Sequence, residues 1–115
     1  MLKFRGMNIS SSDPKRLALF YRDVLGAKMI ESDENFDGVT FGNSEDEPVF
    51  WVWDEKVWGK ANTGSVTFVF DHDDLDILYA ELKQKGIELD PPSVAVWGGK
   101  ELVVQDPDGN TVLFL

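Results

Sequence analysis

No cysteine occurs among these 115 residues, and histidine occurs once. The first absence excludes disulfides, thiolate nucleophiles and cysteine-type zinc sites. The second excludes a metal centre built on two imidazoles of one chain. Basic residues are also scarce: 11 Lys and Arg stand against 21 Asp and Glu, a net charge of −10. That field repels nucleic-acid phosphates, and the basic side chains form no cluster, so nucleic acid is not an expected partner. The field suits a cationic ligand, although an acidic surface kept for solubility is the simpler account. No apolar run reaches the length that spans a bilayer, and residues 1–6 lack the apolar stretch of a signal peptide. A cytoplasmic protein with no membrane partner is the expectation.

What the chain does have is a repeat. Asp13 opens a segment that runs through Leu19-Phe20-Tyr21 to Leu25-Gly26, and Asp73 opens one that runs through Leu78-Tyr79 to Lys85-Gly86. Asp13 and Asp73 stand 60 residues apart, as do Gly26 and Gly86. Asp37-Gly38 and Gly98-Gly99 form a second pair of landmarks at about the same interval. Order of features, more than identity, is what repeats, and a repeat of this kind decides the architecture. The expectation is one domain over residues 1–115, in halves of about 1–55 and 63–115. Eight Phe, four Trp and two Tyr are enough to fill a core of this size.

Each half reads as β-α-β-β-β. Residues 7–11 extend as a first strand. Asp13 is a good N-cap and Pro14 suits the first helical turn. Leu17, Phe20, Tyr21, Val24 and Leu25 follow at helical spacing, with Gly26 placed to end the helix. Residues 27–32, 39–41 and 49–53 read as strands, with Asp37-Gly38 as a tight turn. Residues 54–63 read as a polar connector. The second half opens on a strand at 65–70. A helix with Leu75, Leu78, Tyr79, Leu82 and Ile87 on its buried side follows. Residues 88–96 are broken by Pro91-Pro92 and fit an edge or a short strand. Residues 101–105 and 111–115 are the last two strands, with Asp106-Pro107-Asp108-Gly109-Asn110 as the turn between them. The fold class is α+β: two tandem βαβββ modules forming a curved mixed sheet.

Asp13 with Leu19-Phe20-Tyr21-Arg22-Asp23-Val24-Leu25-Gly26, together with Asp106-Pro107-Asp108-Gly109-Asn110, resembles the vicinal oxygen chelate superfamily. That superfamily includes glyoxalase I, extradiol dioxygenases, and fosfomycin- and bleomycin-resistance proteins. The resemblance covers essentially the whole chain, but neither motif carries chemistry. The resemblance implies where a metal would sit: His or Glu on the first and fourth strands of each half. By register on the motifs those positions are Gly6 (Asn8 next on the same face), Thr67 (Ser65 beside it), Leu113 and, near its first-half counterpart, Trp51. None is His, Asp or Glu, and a shift of one residue brings in only Met7, Phe50, Val52, Val66, Phe68, Val112 and Phe114. Divalent transition metals need several imidazole or carboxylate ligands converging on one point. No metal, no cofactor and no catalytic residue is therefore expected. The resemblance also implies a homodimer, because short chains of the superfamily pair to complete their cavities.

Other candidate chemistry is thin. His72, in Asp71-His72-Asp73-Asp74, could act as a general base, but a solvated residue among helix-capping aspartates accounts for it better. The aspartates near it, and Asp106-x-Asp108-Gly109, lack the full pattern of a calcium loop. Gly98-Gly99 is not a phosphate loop, because no Gly-Lys-Ser/Thr and no helix follow. Ser10-Ser11-Ser12 resembles no nucleophile elbow.

Aromatic residues are the better signal. Alternation in Phe50-Trp51-Val52-Trp53 puts Trp51 and Trp53 on one strand face, as pocket wall or as core. The ligand-binding set is Asn8, Trp51, Trp53, Ser65, Thr67 and Leu113. Two functional readings follow. One is a metal-independent small-molecule binder resembling bleomycin-resistance proteins, with an aromatic-lined pocket for a cationic or aromatic ligand. The other is a metal-dependent lyase, isomerase or dioxygenase of the glyoxalase type, with a displaced site at Glu101, Asp71 and His72. An orphan domain serving assembly or regulation is a third.

Overall fold

The computed structural model describes residues 2–115. The chain divides into two compact units, Met1–Gly64 and Ser65–Leu115. Each unit builds its own four-stranded mixed sheet with a helix on one face, an α+β arrangement.

In the first unit, β1 (Met7–Ser11) leads into α1 (Pro14–Leu19). The junction is held by two side chains. The Asp13 carboxylate accepts from the Arg16 N–H at 3.1 Å, and the Ser11 hydroxyl accepts from the Asp13 N–H at 3.1 Å. The helix then widens into a π-helical turn, Phe20–Val24, in which the Leu25 N–H reaches back five residues to the Phe20 carbonyl at 3.1 Å. Gly26 closes it at φ 76°, a left-handed conformation that suits glycine. β2 (Met29–Glu31), β3 (Val39–Ser44) and β4 (Glu47–Asp54) complete the unit in the order β1-β4-β3-β2. β1 lies parallel to β4, and the other pairs are antiparallel.

The core of this unit lies between α1 with its π-turn and one face of the sheet. Ile9, Leu17, Ala18, Tyr21, Val39, Phe41, Phe50 and Val52 are buried there. Phe41 and Phe50, opposite one another on β3 and β4, stack at 5.0 Å. Tyr21 meets Phe50 edge-on at 5.4 Å. The widened turn puts Phe20 and Tyr21, neighbours in sequence, both in the buried layer with their rings perpendicular at 5.7 Å.

The connector is more ordered than its polar composition predicts. Glu55–Trp58 forms a one-turn helix, α2, capped by the Asp54 side chain on the Lys56 N–H at 2.9 Å. The Asp37 carboxylate holds it from the side, accepting from the Asp54 N–H at 3.0 Å and from the Trp58 indole N–H at 2.8 Å. Capping aspartates and a tryptophan donor, not an apolar stripe, make this turn, so hydrophobic periodicity does not reveal it.

In the second unit, β5 (Thr67–Phe70) precedes α3 (Leu75–Gln84). Leu75, Leu78 and Leu82 of α3 are buried. β6 (Ser93–Val94), β7 (Lys100–Gln105) and β8 (Thr111–Phe114) follow, in the order β5-β8-β7-β6. β6 is only two residues long, because Pro91-Pro92 withhold two backbone donors from any longer ladder. Phe68, Leu102, Val104, Val112 and Phe114 form the buried face of the sheet. The Asp-Pro-Asp-Gly-Asn turn is a polar knot. Asp106, 5% exposed, accepts from the Asp108 N–H at 2.9 Å, the Asn110 N–H at 2.8 Å and the Asn110 side-chain amide at 2.9 Å. Asn110 in turn accepts from the Val66 N–H at 3.0 Å, which ties β5 to the turn. Among the described residues, no helix is long and apolar enough to cross a membrane.

Candidate functional site

Because side chains alternate along a strand, burying one face of the first sheet under α1 turns the other set of residues away from it. That helix-free face carries Asn8 and Ser10 of β1, Trp51 and Trp53 of β4, and Thr40 of β3. The register sets them in rows. Asn8 lies beside Trp51, and Trp51 beside Thr40; Ser10 lies beside Trp53. Trp51 and Trp53 are half-buried, Asn8 is exposed and Thr40 is buried.

Each member of this face is in a different state. The Ser10 hydroxyl is engaged by the connector: it accepts from the Ala61 N–H at 2.8 Å and donates to the Asn62 side chain at 3.4 Å. The Trp53 indole nitrogen is buried and has no hydrogen-bond partner among the described residues. A buried donor left unpaired costs about 1–3 kcal/mol. Trp51 packs edge-on to the backbone of Gly6, just before β1. A Cβ placed on Gly6 would lie 2.5 Å from Trp51 Cζ3 and 2.6 Å from the Val49 carbonyl oxygen. The Arg5 guanidinium sits over the Trp51 ring at 5.8 Å from its centroid.

The Gly6 contact makes a direct prediction. Gly6→Ala has to move either the Trp51 ring or the start of β1, because the Val49 carbonyl belongs to the sheet and cannot yield. A shifted Trp near-UV circular dichroism signal and a loss of about 1–3 kcal/mol of stability are expected. An unchanged spectrum would show that the ring does not depend on this glycine.

In the second sheet, the face turned away from α3 carries Thr67 and Val69 of β5, Glu101, Val103 and Gln105 of β7, and Thr111 and Leu113 of β8. Val69, Leu113 and Val103 form one row, and Thr67, Thr111 and Gln105 form the next. Leu113 is half-buried at the centre of an apolar row, while Thr67 lies in the polar row beside it. Ser65 is exposed and precedes β5. The structure therefore sets Asn8 against Trp51, with Trp53 next along the strand. It places Thr67 and Leu113 in adjacent rows and leaves Ser65 outside the sheet. A cavity of about 320 Å³ borders this face, lined by Glu88, Asp90, Ser93, Glu101, Val103 and Gln105.

Sequence reasoning did not find Thr40, Arg5 or the Ser10–Asn62 link. Thr40 shows a weak signal as the polar residue between Val39 and Phe41, but its place beside Trp51 depends on the β3–β4 register. Arg5 gives no local signal.

The residues do not suit a metal of the glyoxalase type. Gly6, Trp51, Thr67 and Leu113 supply no imidazole and no carboxylate. Among the described residues, no three His, Cys, Asp or Glu side chains are placed so that they could hold a metal ion together. His72 is exposed, and its Nδ1 accepts from the Asp74 N–H at 3.0 Å. Glu101 lies on β7 opposite Ser93. Asp74 caps α3, accepting from the Asp76 and Ile77 N–H groups at 3.1 Å.

The family model of the Glyoxalase/Bleomycin resistance protein/Dioxygenase superfamily matches residues 5–114. The chain belongs to that superfamily. Among solved structures, it is similar to a lactoylglutathione lyase from Agrobacterium tumefaciens: TM-score 0.77, 19% identity, 97% of this chain and 91% of that one covered. It is also similar to a superfamily member from Sphaerobacter thermophilus, with TM-score 0.75 and 21% identity over 99% of this chain and 96% of that one. A virulence protein from Salmonella typhimurium has TM-score 0.74 and 16% identity, with 99% and 95% covered. No curated protein gives a significant match. At these identities the structural likeness establishes the fold, and the chemistry rests on the residues themselves.

Proposed function

We propose that this chain is a metal-independent small-molecule-binding protein of the bleomycin-resistance kind. It holds an aromatic or cationic ligand against Trp51 and Trp53 and acts as a homodimer. One observation carries the reading: at Gly6, where the superfamily resemblance implies a first-strand metal ligand, the Trp51 ring fills the space a side chain would need. An aromatic surface stands in place of a donor set. Sequestration needs no reacting residue. A flat ring can stack on an indole, a cation is drawn to its face, and the excess of 21 acidic over 11 basic residues favours cations in general.

Elemental analysis of the purified protein, with a thermal-shift titration of nickel, zinc and manganese, tests metal independence. No bound metal and no shift are expected. One equivalent of metal per chain would return an enzyme of the glyoxalase type to the front. Tryptophan fluorescence titrated with N-methylquinolinium tests the pocket: saturable quenching at micromolar concentration is expected, and its absence across a panel of aromatic cations would sink the binding reading. Sedimentation velocity at micromolar concentration should show a dimer, and a purely monomeric species would remove that part of the proposal.

A further inference from the structure

The Arg5 guanidinium and the chain that carries it point to the kind of cation this site takes. Arg5 lies 5.8 Å from the Trp51 centroid, near the outer limit of an effective cation–π contact. Among the described residues its side chain makes no ion pair or hydrogen bond. The segment around it is barely anchored. Leu2 is 100% exposed and Phe4 83% exposed. A groove of about 580 Å³ separates Lys3, Phe4 and Arg5 from Asp46, Glu47 and Pro48 of the β3–β4 hairpin. Gly6, with no side chain, lets this segment pass the edge of the ring.

We infer that Arg5 is an internal occupant of the ligand position on Trp51, and that the ligand is a planar, delocalised cation of the guanidinium or amidinium class that enters by displacing it. The inference rests on the proposed pocket and narrows it. A guanidinium is flat and weakly hydrated, so it lies on an indole at little desolvation cost; an ammonium is compact and strongly hydrated. A ligand of the first kind reproduces the contact already made at Trp51. Displacing residues 2–5 uncovers little apolar surface, because Leu2 and Phe4 are already in solvent. Asp46 and Glu47, across the groove, offer carboxylates to the released Arg5.

The test compares benzamidinium with benzylammonium, matched in ring and charge, by tryptophan fluorescence titration of the wild type, Arg5→Ala, Trp51→Leu and Trp51→Phe. Arg5→Ala lies on an exposed segment and should fold normally. It is expected to bind benzamidinium about two- to five-fold more tightly than the wild type, the range that loss of one exposed cation–π competitor allows. Benzylammonium should bind more weakly to both proteins. Trp51→Leu should abolish benzamidinium binding, and Trp51→Phe should retain part of it. Acrylamide should quench Arg5→Ala more strongly than the wild type, since the ring face is uncovered. Equal benzamidinium affinity in wild type and Arg5→Ala would overturn the displacement while leaving the pocket standing. Binding that survives in Trp51→Leu, or benzylammonium binding as tightly as benzamidinium, would overturn the assignment. No binding of either probe by any variant would overturn the inference together with the pocket reading.

Discussion

Tyr21→Ala is expected to destabilise the first unit by about 3–5 kcal/mol, the range for removing a large aromatic side chain from a packed core. Tyr21 is fully buried. Its ring touches Phe20, Phe41 and Phe50 at centroid distances of 5.7, 6.1 and 5.4 Å. It also sits in the π-helical turn, where the backbone is set by a five-residue hydrogen bond and cannot readily collapse into the space left behind. The consequence reaches the helix-free face. Phe50 is adjacent to Trp51 in β4, and Phe41 to Thr40 in β3, so a shift in the aromatic layer moves the helix-free row on the other side of the same strands. Urea unfolding followed by circular dichroism should show the lost stability, with tryptophan emission following it. Tyr21→Phe, which keeps the ring, should retain most of it. A Tyr21→Ala protein as stable as the wild type would mean that the Phe41–Phe50 stack holds the sheet without help from the helix.

Asp106→Ala is expected to cost about 3–4 kcal/mol, and here the cause is polar. The carboxylate satisfies two backbone N–H groups and the Asn110 side-chain amide. Alanine leaves those donors buried or part-buried without an acceptor, at about 1–3 kcal/mol for each fully buried group, reduced by whatever water the loosened turn admits. The loss spreads further because Asn110, once released, no longer holds the Val66 N–H, so the start of β5 is freed along with the β7–β8 turn. Asp106→Asn should fall between the two. Its carbonyl can still accept from the backbone, while its amide faces the amide of Asn110, donor to donor. Hydrogen exchange should show the Asp108, Asn110 and Val66 amides losing protection together in Asp106→Ala. Loss at Asp108 and Asn110 alone would mean that Asn110 keeps its place by packing.

Where the determinants are local, the sequence is a sufficient guide. Asp13 with Pro14, Gly26, and the Asp106–Asn110 run each specify a cap or turn within a few residues, and each forms as its chemistry predicts. Alternation in Phe50-Trp51-Val52-Trp53 separates core from helix-free face for the same reason: a strand's period is two, and the more apolar set takes the covered side. α2 escapes that logic because its partners are distant. Asp37 reaches Trp58 across 21 residues of chain.

Composition, repeat and motif thus determine the superfamily, the order of the elements, the aromatic character of the fourth strand and the lack of a metal-binding set at Gly6, Trp51, Thr67 and Leu113. Tertiary structure decides that Thr40 joins Asn8 and Trp51 in one row, and that the connector ties up Ser10. It also decides that the Trp53 indole has no acceptor among the described residues and that Arg5 lies on Trp51. The division has one physical cause. Caps, turns and strand periodicity are written over a few neighbouring residues. Register and ring contacts between strands separated by long stretches of chain exist only once the sheet has closed under its helix.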